Sequence, residues 1–192
     1  MNKNVKNSSD LFEDLKGLYD TQATMFLRDW KRLLPFSEMV VDRWEKAKKL
    51  GFGKNVSIYD SSIVFGDVKV GPNSWIGPNT ILDGSGGTLR IGKYCSISAG
   101  VQMYTHDSVK WALTGGKTKY EKGTIEIGNC CYIGPYSVIS RGVKIGNHSI
   151  IGAFSYVNKN IPSRSFVYGQ PARVIGRVKL ENETGFAIDY LR

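Results

Sequence analysis

Between Ile127 and Val157 the chain repeats one pattern, with an aliphatic residue at 127, 133, 139, 145, 151 and 157, usually followed by glycine. Four places after each of the first five stands a small or modest residue: Cys131, Ser137, Val143, Ser149 and Ser155. Neither an amphipathic helix nor an alternating strand produces a six-residue period over this length. Hexads predict a parallel β-helix, in which each hexad supplies one short strand and one corner and three hexads close a coil. The aliphatic residues should point inward as stacked ladders. Gly128, Gly134, Gly146 and Gly152 are expected at the corners, where a positive φ suits glycine. Ordinary hairpins would not hold this phase through five consecutive matches.

The same ladder reads backwards through Ile58, Val64, Val70, Ile76 and Leu82. From Leu82 to Ile91 the step is nine residues instead of six, so three extra residues around Asp83-Gly84-Ser85-Gly86-Gly87 must bulge from a corner. Ile91, Ile97 and Met103 resume the period, which lapses until Ile127. That stretch predicts a loop extruded from the scaffold, and long loops on rigid scaffolds are where function concentrates. Ahead of the ladder, residues 1–7 predict a frayed start, followed by a helix from Ser8-Ser9-Asp10, a second from about Thr21 to Leu34, and a third N-capped by Ser37 and ending before Gly51. The division is 1–54 helical segment, 55–177 β-helix, and 178–192 C-terminal tail. The helices are expected to cap the open end of the solenoid, whose terminal coil otherwise exposes apolar surface and unpaired strand edges.

Composition narrows the function classes. With 192 residues and 41% hydrophobic content, the chain can hold one solenoid and an accessory segment. No apolar run is long enough to cross a membrane and no signal peptide is evident, so a soluble protein with no membrane insertion is expected. Cys95, Cys130 and Cys131 make an odd count, and two of them occupy inward small positions, which favours a reducing, cytoplasmic setting over a disulfide framework. Of the net charge of +9, most lies in residues 55–180, with 14 basic against 6 acidic residues, which suits a phosphorylated ligand. There is no dense basic cluster and no nucleic-acid motif, so a nucleic-acid partner is not expected.

The ladder, the loop opening Tyr104-Thr105-His106-Asp107, and the ending IGAFSYVNKNIPSRSFVYGQPARVIG together resemble the hexapeptide-repeat acyltransferases, in particular sugar acetyltransferases of galactoside, maltose and surface-polysaccharide type. The resemblance covers about residues 56–177. It implies a mainly β fold, a left-handed parallel β-helix, against the usual right-handed crossover. It also implies a homotrimer with acetyl-CoA in a cleft between neighbouring β-helices. The expected reaction moves an acetyl group to a hydroxyl or amine of a sugar or nucleotide-linked sugar, as in polysaccharide biosynthesis. Zinc-dependent carbonic anhydrases share the fold but need three His ligands. This chain has only His106 and His148, so no metal is expected. A non-catalytic trimeric scaffold is the alternative.

His106 is the expected general base, since neutral imidazole can take the proton of an attacking alcohol near pH 7. In the family the His at the start of this loop has that role. Asp83 either orients the imidazole, holds a substrate group, or makes an Asx-turn in the bulge. On the coenzyme side the resemblance implies backbone contacts at Ala153, phosphate contacts at Asn158, Lys159 and Arg173, and a position matched by Pro135, which has no N–H. A further family arginine falls on Gly176, with Arg177 beside it. Tyr104, Asp107, Trp111 and Tyr120 are the candidates for the acceptor side. Leu82 and Met103 should stack on one face, about 4.8 Å apart. If the loop excises two hexads, Ile133 and Ile151 follow on that face, and Asp83, His106, Gly134-Pro135 and Gly152-Ala153 line one edge.

Overall fold

A computed structural model describes residues 7–182 and 184–191. The expected frayed start lies, except for Asn7, outside the described residues. The chain divides into two compact units, 1–42 and 43–192. In the first, α1 (Ser8–Trp30) is one continuous helix where two were expected. Gly17 and the Tyr19-Asp20-Thr21 stretch cost helix propensity but supply no stop, and the helix ends instead at Lys31, in the left-handed conformation with φ 53°. The short α2 (Phe36–Val40) packs on it, with Tyr19 and Phe36 ring centroids 6.4 Å apart. The third predicted helix is divided: Val41 is extended, and α3 (Arg43–Lys49) starts anew in the second unit. Adjacent β-branched Val40 and Val41 followed by Asp42 make that break inexpensive.

In the second unit α3 packs against β1 (Ser57–Ile58) and sends Ala47 into the core. Lys46 donates from Nζ to the carbonyls of Tyr59, Asp60 and Ser62 at 3.1, 2.7 and 3.0 Å, pinning the helix to the first corner. Within this unit α3 thus covers the first coil, part of the capping expected of the helical segment. The strands that follow are β2 (Ile63–Val70), β3 (Trp75–Ile76), β4 (Ile81–Ile91), β5 (Ser96–Ile97) and β6 (Gln102–Tyr104). The loop contributes β7 (His106–Asp107), α4 (Val109–Leu113) and β8 (Glu121–Lys122). The coils resume with β9 (Ile125–Ile127), β10 (Tyr132–Ile133), β11 (Val138–Ile139), β12 (Lys144–Ile145), β13 (Ile150–Ile151) and β14 (Tyr156–Val157). The chain ends in β15 (Ser165–Gly169), β16 (Ala172–Glu181) and β17 (Gly185–Tyr190).

The coil strands, β1–β6 and β9–β15, stack in parallel into three faces of a β-helical prism. The first face carries Ile58, Ile76, Ile97, Ile133, Ile151 and Val167 in register. The second carries Val64, Leu82, Met103, Ile139 and Val157. The third carries Val70, Ile91, Ile127, Ile145 and Ile161. Nearly all are buried and form one core. The inward small residues are satisfied along the stack: Ser74 donates to the Gly92 carbonyl, Ser137 to Gly152 and Ser149 to Pro162. Cys95 and Cys131 occupy the same inward row and are free thiols.

Four expectations need correction. Met103 pairs onward to Ile139, not to Ile133, so Gly134-Pro135 and Gly152-Ala153 stand on a different edge from Asp83 and His106. The loop returns to the third face at β9, inside the coil it left, so it excises no hexads from the face count. The corner glycines do not take the positive φ; that falls two residues later, on Cys130, Tyr136, His148 and Phe154. Glycine is required for a different reason: a Cβ on Gly134 would stand 2.6 Å from the Ala153 nitrogen in the next coil. Finally, residues 178–181 and 185–190, expected in a tail, belong to the antiparallel pair β16–β17 that extends the first face.

Candidate functional site

The edge between the second and third faces is where the chain departs from six-residue steps. In β2 the step from Val64 to Val70 crosses it directly, whereas in β4 the register slips between Gly66 and Val68, leaving Ser85 to Thr88 opposite Asp67. Thr88 donates to Asp67 at 2.6 Å and secures the bulge. One coil further on, the loop leaves at Tyr104, runs out through β7 and α4, and returns through β8, antiparallel to β7. Bulge and loop therefore stack on one edge, and their residues meet.

Their meeting point is Asp83 and His106, with Asp83 Oδ2 3.3 Å from His106 Nδ1. The carboxylate side chain is 8% exposed and the imidazole 29%. Asp83 is held by Ser85, whose backbone N–H and hydroxyl both donate to Oδ1, at 2.8 and 2.5 Å. That leaves Oδ2 for the imidazole, with the Ser85 hydroxyl also 3.4 Å from Nδ1. Two acceptors around Nδ1 favour the tautomer protonated there, which puts the lone pair on Nε2. Among the described residues Nε2 has no hydrogen-bond partner. Thr105, fully buried, anchors the base of the hairpin: its hydroxyl donates to the Asp83 carbonyl at 2.8 Å and accepts from the Gly86 N–H at 2.9 Å. A Cβ on Gly86 would stand 2.5 Å from the His106 Cβ, so only glycine lets the bulge lie against the imidazole. The Asx-turn and the contact with imidazole, weighed as alternatives for Asp83, are thus made by its two different oxygens.

Tyr120 lies parallel to the His106 ring, 5.9 Å away and tilted 5°, and Trp111 meets Tyr120 edge-on at 5.6 Å. The three rings form a half-exposed row on the hairpin. Tyr104 donates to Gln102 at 2.8 Å, and burial, helped by the Asp83 charge, raises its phenol above the usual range. Asp107 faces away from the imidazole: Oδ1 accepts from the Val109 N–H at 3.2 Å, and Oδ2 accepts from Arg141 Nε. Arg141 also donates to Glu121 at 2.7 Å. Its hydrogen bond holds the Asp107 carboxyl below the ordinary value.

The coenzyme-side candidates are spread over the prism. Pro135 and Ala153 sit on the edge between the first and second faces, where the Pro135 carbonyl accepts from Phe154 at 2.9 Å. Arg173 is paired with Tyr168 beside the β15–β16 turn, which caps that same edge through Gln170 and the Phe154 carbonyl. Asn158 and Lys159 are exposed on the His106 edge, two coils above it, or about 10 Å by strand spacing. Arg177 lies opposite Ser165, four residues along β16 from Arg173 and so about 13 Å away, near the third edge. Sequence reasoning missed Ser85, Gly86, Thr105 and Arg141. The nine-residue step pointed to the bulge, but nothing local told that it would fold onto the histidine.

A prism of stacked hexads is the fold of the hexapeptide-repeat transferases. Residues 124–159 match the family model described as bacterial transferase hexapeptide (six repeats). Galactoside O-acetyltransferase of Escherichia coli K12 is 30% identical over 141 residues, which are 63% of this chain and 69% of that protein. Carnitine operon protein CaiE of Escherichia coli K12 is 31% identical over 127 residues, 63% of this chain and 64% of that one. Among solved structures, a hexapeptide-repeat acetyltransferase of Vibrio cholerae O1 biovar eltor, complexed with acetyl coenzyme A, is similar with a TM-score of 0.64 and 25% identity, covering 85% of this chain and 89% of that one. A variant of AntD, an N-acyltransferase from Bacillus cereus in complex with dTDP and coenzyme A, gives a TM-score of 0.57 at 25% identity over 68% and 87%. The chain belongs to the hexapeptide-repeat acyltransferase family.

Proposed function

We propose that this protein is an acetyl-CoA-dependent acetyltransferase that acts as a homotrimer on a hydroxyl or amine of a sugar, including nucleotide-linked sugars used for surface polysaccharide. The observation that carries the reading is the pairing of His106 Nδ1 with the buried Asp83 carboxylate, which leaves Nε2 free to act as a base on a ring stacked with the exposed Tyr120. In the transfer, Nε2 takes the proton of the acceptor O–H or N–H as that atom bonds to the acetyl carbonyl carbon. Asp83 stabilises the imidazolium that forms. The C–S bond then breaks and the imidazolium returns its proton to the departing thiolate. The row of Tyr120 and Trp111 suits a sugar ring, whose C–H faces pack on aromatics. The relatives' activities, galactoside O-acetylation and N-acylation with bound dTDP, point to the same substrate class.

Two features support the trimer. His106 and Lys159 stand on one edge, whereas Pro135, Ala153 and Arg173 stand on the next, so one chain cannot present them to a single coenzyme across the body of the prism. The second face lies between those two edges. Its outward row is Ile63, Ile81, Gln102, Val138 and Tyr156, against Lys69, Arg90, Glu126 and Lys144 on the third. An apolar face turned to a three-fold axis brings the His106 edge of each copy against the Ala153 edge of the next, and closed symmetry is the rule for such assemblies. Thiol release from acetyl-CoA should be measured across aryl galactosides, oligosaccharides and dTDP-linked amino sugars, alongside sedimentation. Acceptor-dependent release by a trimer supports the reading. Absence of release with every acceptor, or full activity in a monomer, would overturn it.

A further inference from the structure

We propose that Arg141 is a positioning residue: from the coil above, it clamps shut the hairpin that carries His106, and so holds the base in line before any ligand arrives. The reasoning starts from a conflict within the hairpin. In the antiparallel pair β7–β8, Asp107 stands directly opposite Glu121, one pair along from His106 opposite Lys122. Like charges directly opposed across a two-residue ladder push it apart. The guanidinium of Arg141 resolves the conflict by spanning both acids, Nε to Asp107 Oδ2 and Nη2 to Glu121 Oε2. A planar fork with separate donors suits two carboxylates at once, which lysine cannot match.

Arg141 reaches them because of where the hairpin rejoins the prism. A Cβ on Gly123, just after β8, would stand 2.9 Å from the Gly142 nitrogen, so the hairpin's root rests on the corner that bears Arg141. The Gly123 N–H also donates to the Thr105 carbonyl at 2.8 Å, closing the base of the hairpin beside His106. A second cation that reaches these acids, Lys110 on α4, donates to the other oxygen of Glu121 at 2.8 Å, and so ties the hairpin to its own tip and not to the prism. All three side chains of the clamp are about 30% exposed, half-shielded from solvent and so partly protected from salt screening.

The inference rests on the proposed role of His106, and its test separates the two. Hydrogen exchange across residues 105–124 and the ring-nitrogen NMR shifts of His106, which report its tautomer, are measured at one fixed pH without substrate, with His148 as an internal control. Arg141→Gln should speed exchange in the hairpin and move the His106 ring-nitrogen signals toward a mixture of the two tautomers, while those of His148 stay put. Glu121→Gln in that background removes the opposed charges and should restore much of the protection; Arg141→Lys should restore less. In the transfer assay Arg141→Gln should lower kcat about 10- to 100-fold through misplacement of the base, with the KM for acetyl-CoA nearly unchanged. Unchanged exchange and ring-nitrogen shifts in Arg141→Gln would overturn the clamp, whatever the enzyme activity. A wild-type protein inactive on all acceptors but with the expected exchange pattern would overturn the acetyltransferase reading and leave the clamp standing.

Discussion

Two stretches of the same edge of the prism show how this fold acquires chemistry. Between Ile139 and Ile145 the chain crosses the edge in a regular six-residue step, with a tight corner at Arg141-Gly142. Between Leu82 and Ile91, and again between Met103 and Ile127, it crosses the same edge with extra residues. The inward ladders are indifferent to the difference: Leu82, Met103 and Ile139 stack in register and are fully buried throughout. Insertions outside the ladder cost the core nothing, and two of them in successive coils build the His106–Asp83 pair. The regular corner then serves as the abutment against which the longer one is braced.

Altering the long steps should affect rate and spare stability. His106→Ala should cost about 100- to 10,000-fold in kcat, or about 3 to 5 kcal/mol, with the thermal midpoint little changed, because the side chain lies outside the ladder. A weakly acidic hydroxyl acceptor should feel the whole loss and a neutral amine less. Near wild-type turnover in this variant would refute the base. Asp83→Asn should cost less, and its effect should shrink in the His106→Ala background if the two act as a unit.

Altering the ladder should do the reverse. Ile139→Ala opens a void in a fully buried row and should lower unfolding free energy by about 2 to 5 kcal/mol in denaturant titrations. If stability held while activity collapsed, the separation between ladder and edge would be wrong. The coenzyme side should show a smaller effect, confined to binding. Charge-assisted contacts of about 1.5 to 3 kcal/mol imply that Lys159→Ala or Arg173→Ala raises the KM for acetyl-CoA and largely spares kcat. Unchanged constants in both would return these side chains to the solvated surface.

The smallest effect expected is that of pH on the hairpin. The Asp107 carboxyl is depressed by Arg141, so the stabilisation from this contact is fully present above the unfolded value, about 4. It is lost only as pH falls through the lower folded value. Hairpin hydrogen exchange, corrected for its intrinsic pH dependence, should therefore be flat from about pH 5 to 8. A transition within that window would mean that the Asp107–Arg141 contact does not govern closure.

Much was legible in the sequence because hexad periodicity is a local property: each aliphatic residue announces its own inward position, and each interrupted step announces its own bulge. By itself the sequence determined the β-helix, the nine-residue bulge at Asp83 and the extruded loop. Only the tertiary structure decided which rows stack. The loop's return point sets the register of every later coil, and it moved Pro135 and Ala153 to another edge than His106. It also decided that the corner glycines serve close approach between coils and not a positive φ, since the neighbouring backbone that forbids a Cβ belongs to the next coil. Likewise Asp107 and Arg141 are far apart in sequence and meet only because stacking sets the corner of one coil over the hairpin of the coil below. Periodicity specifies what points inward, and the distances between coils, which no local pattern encodes, specify what meets outside.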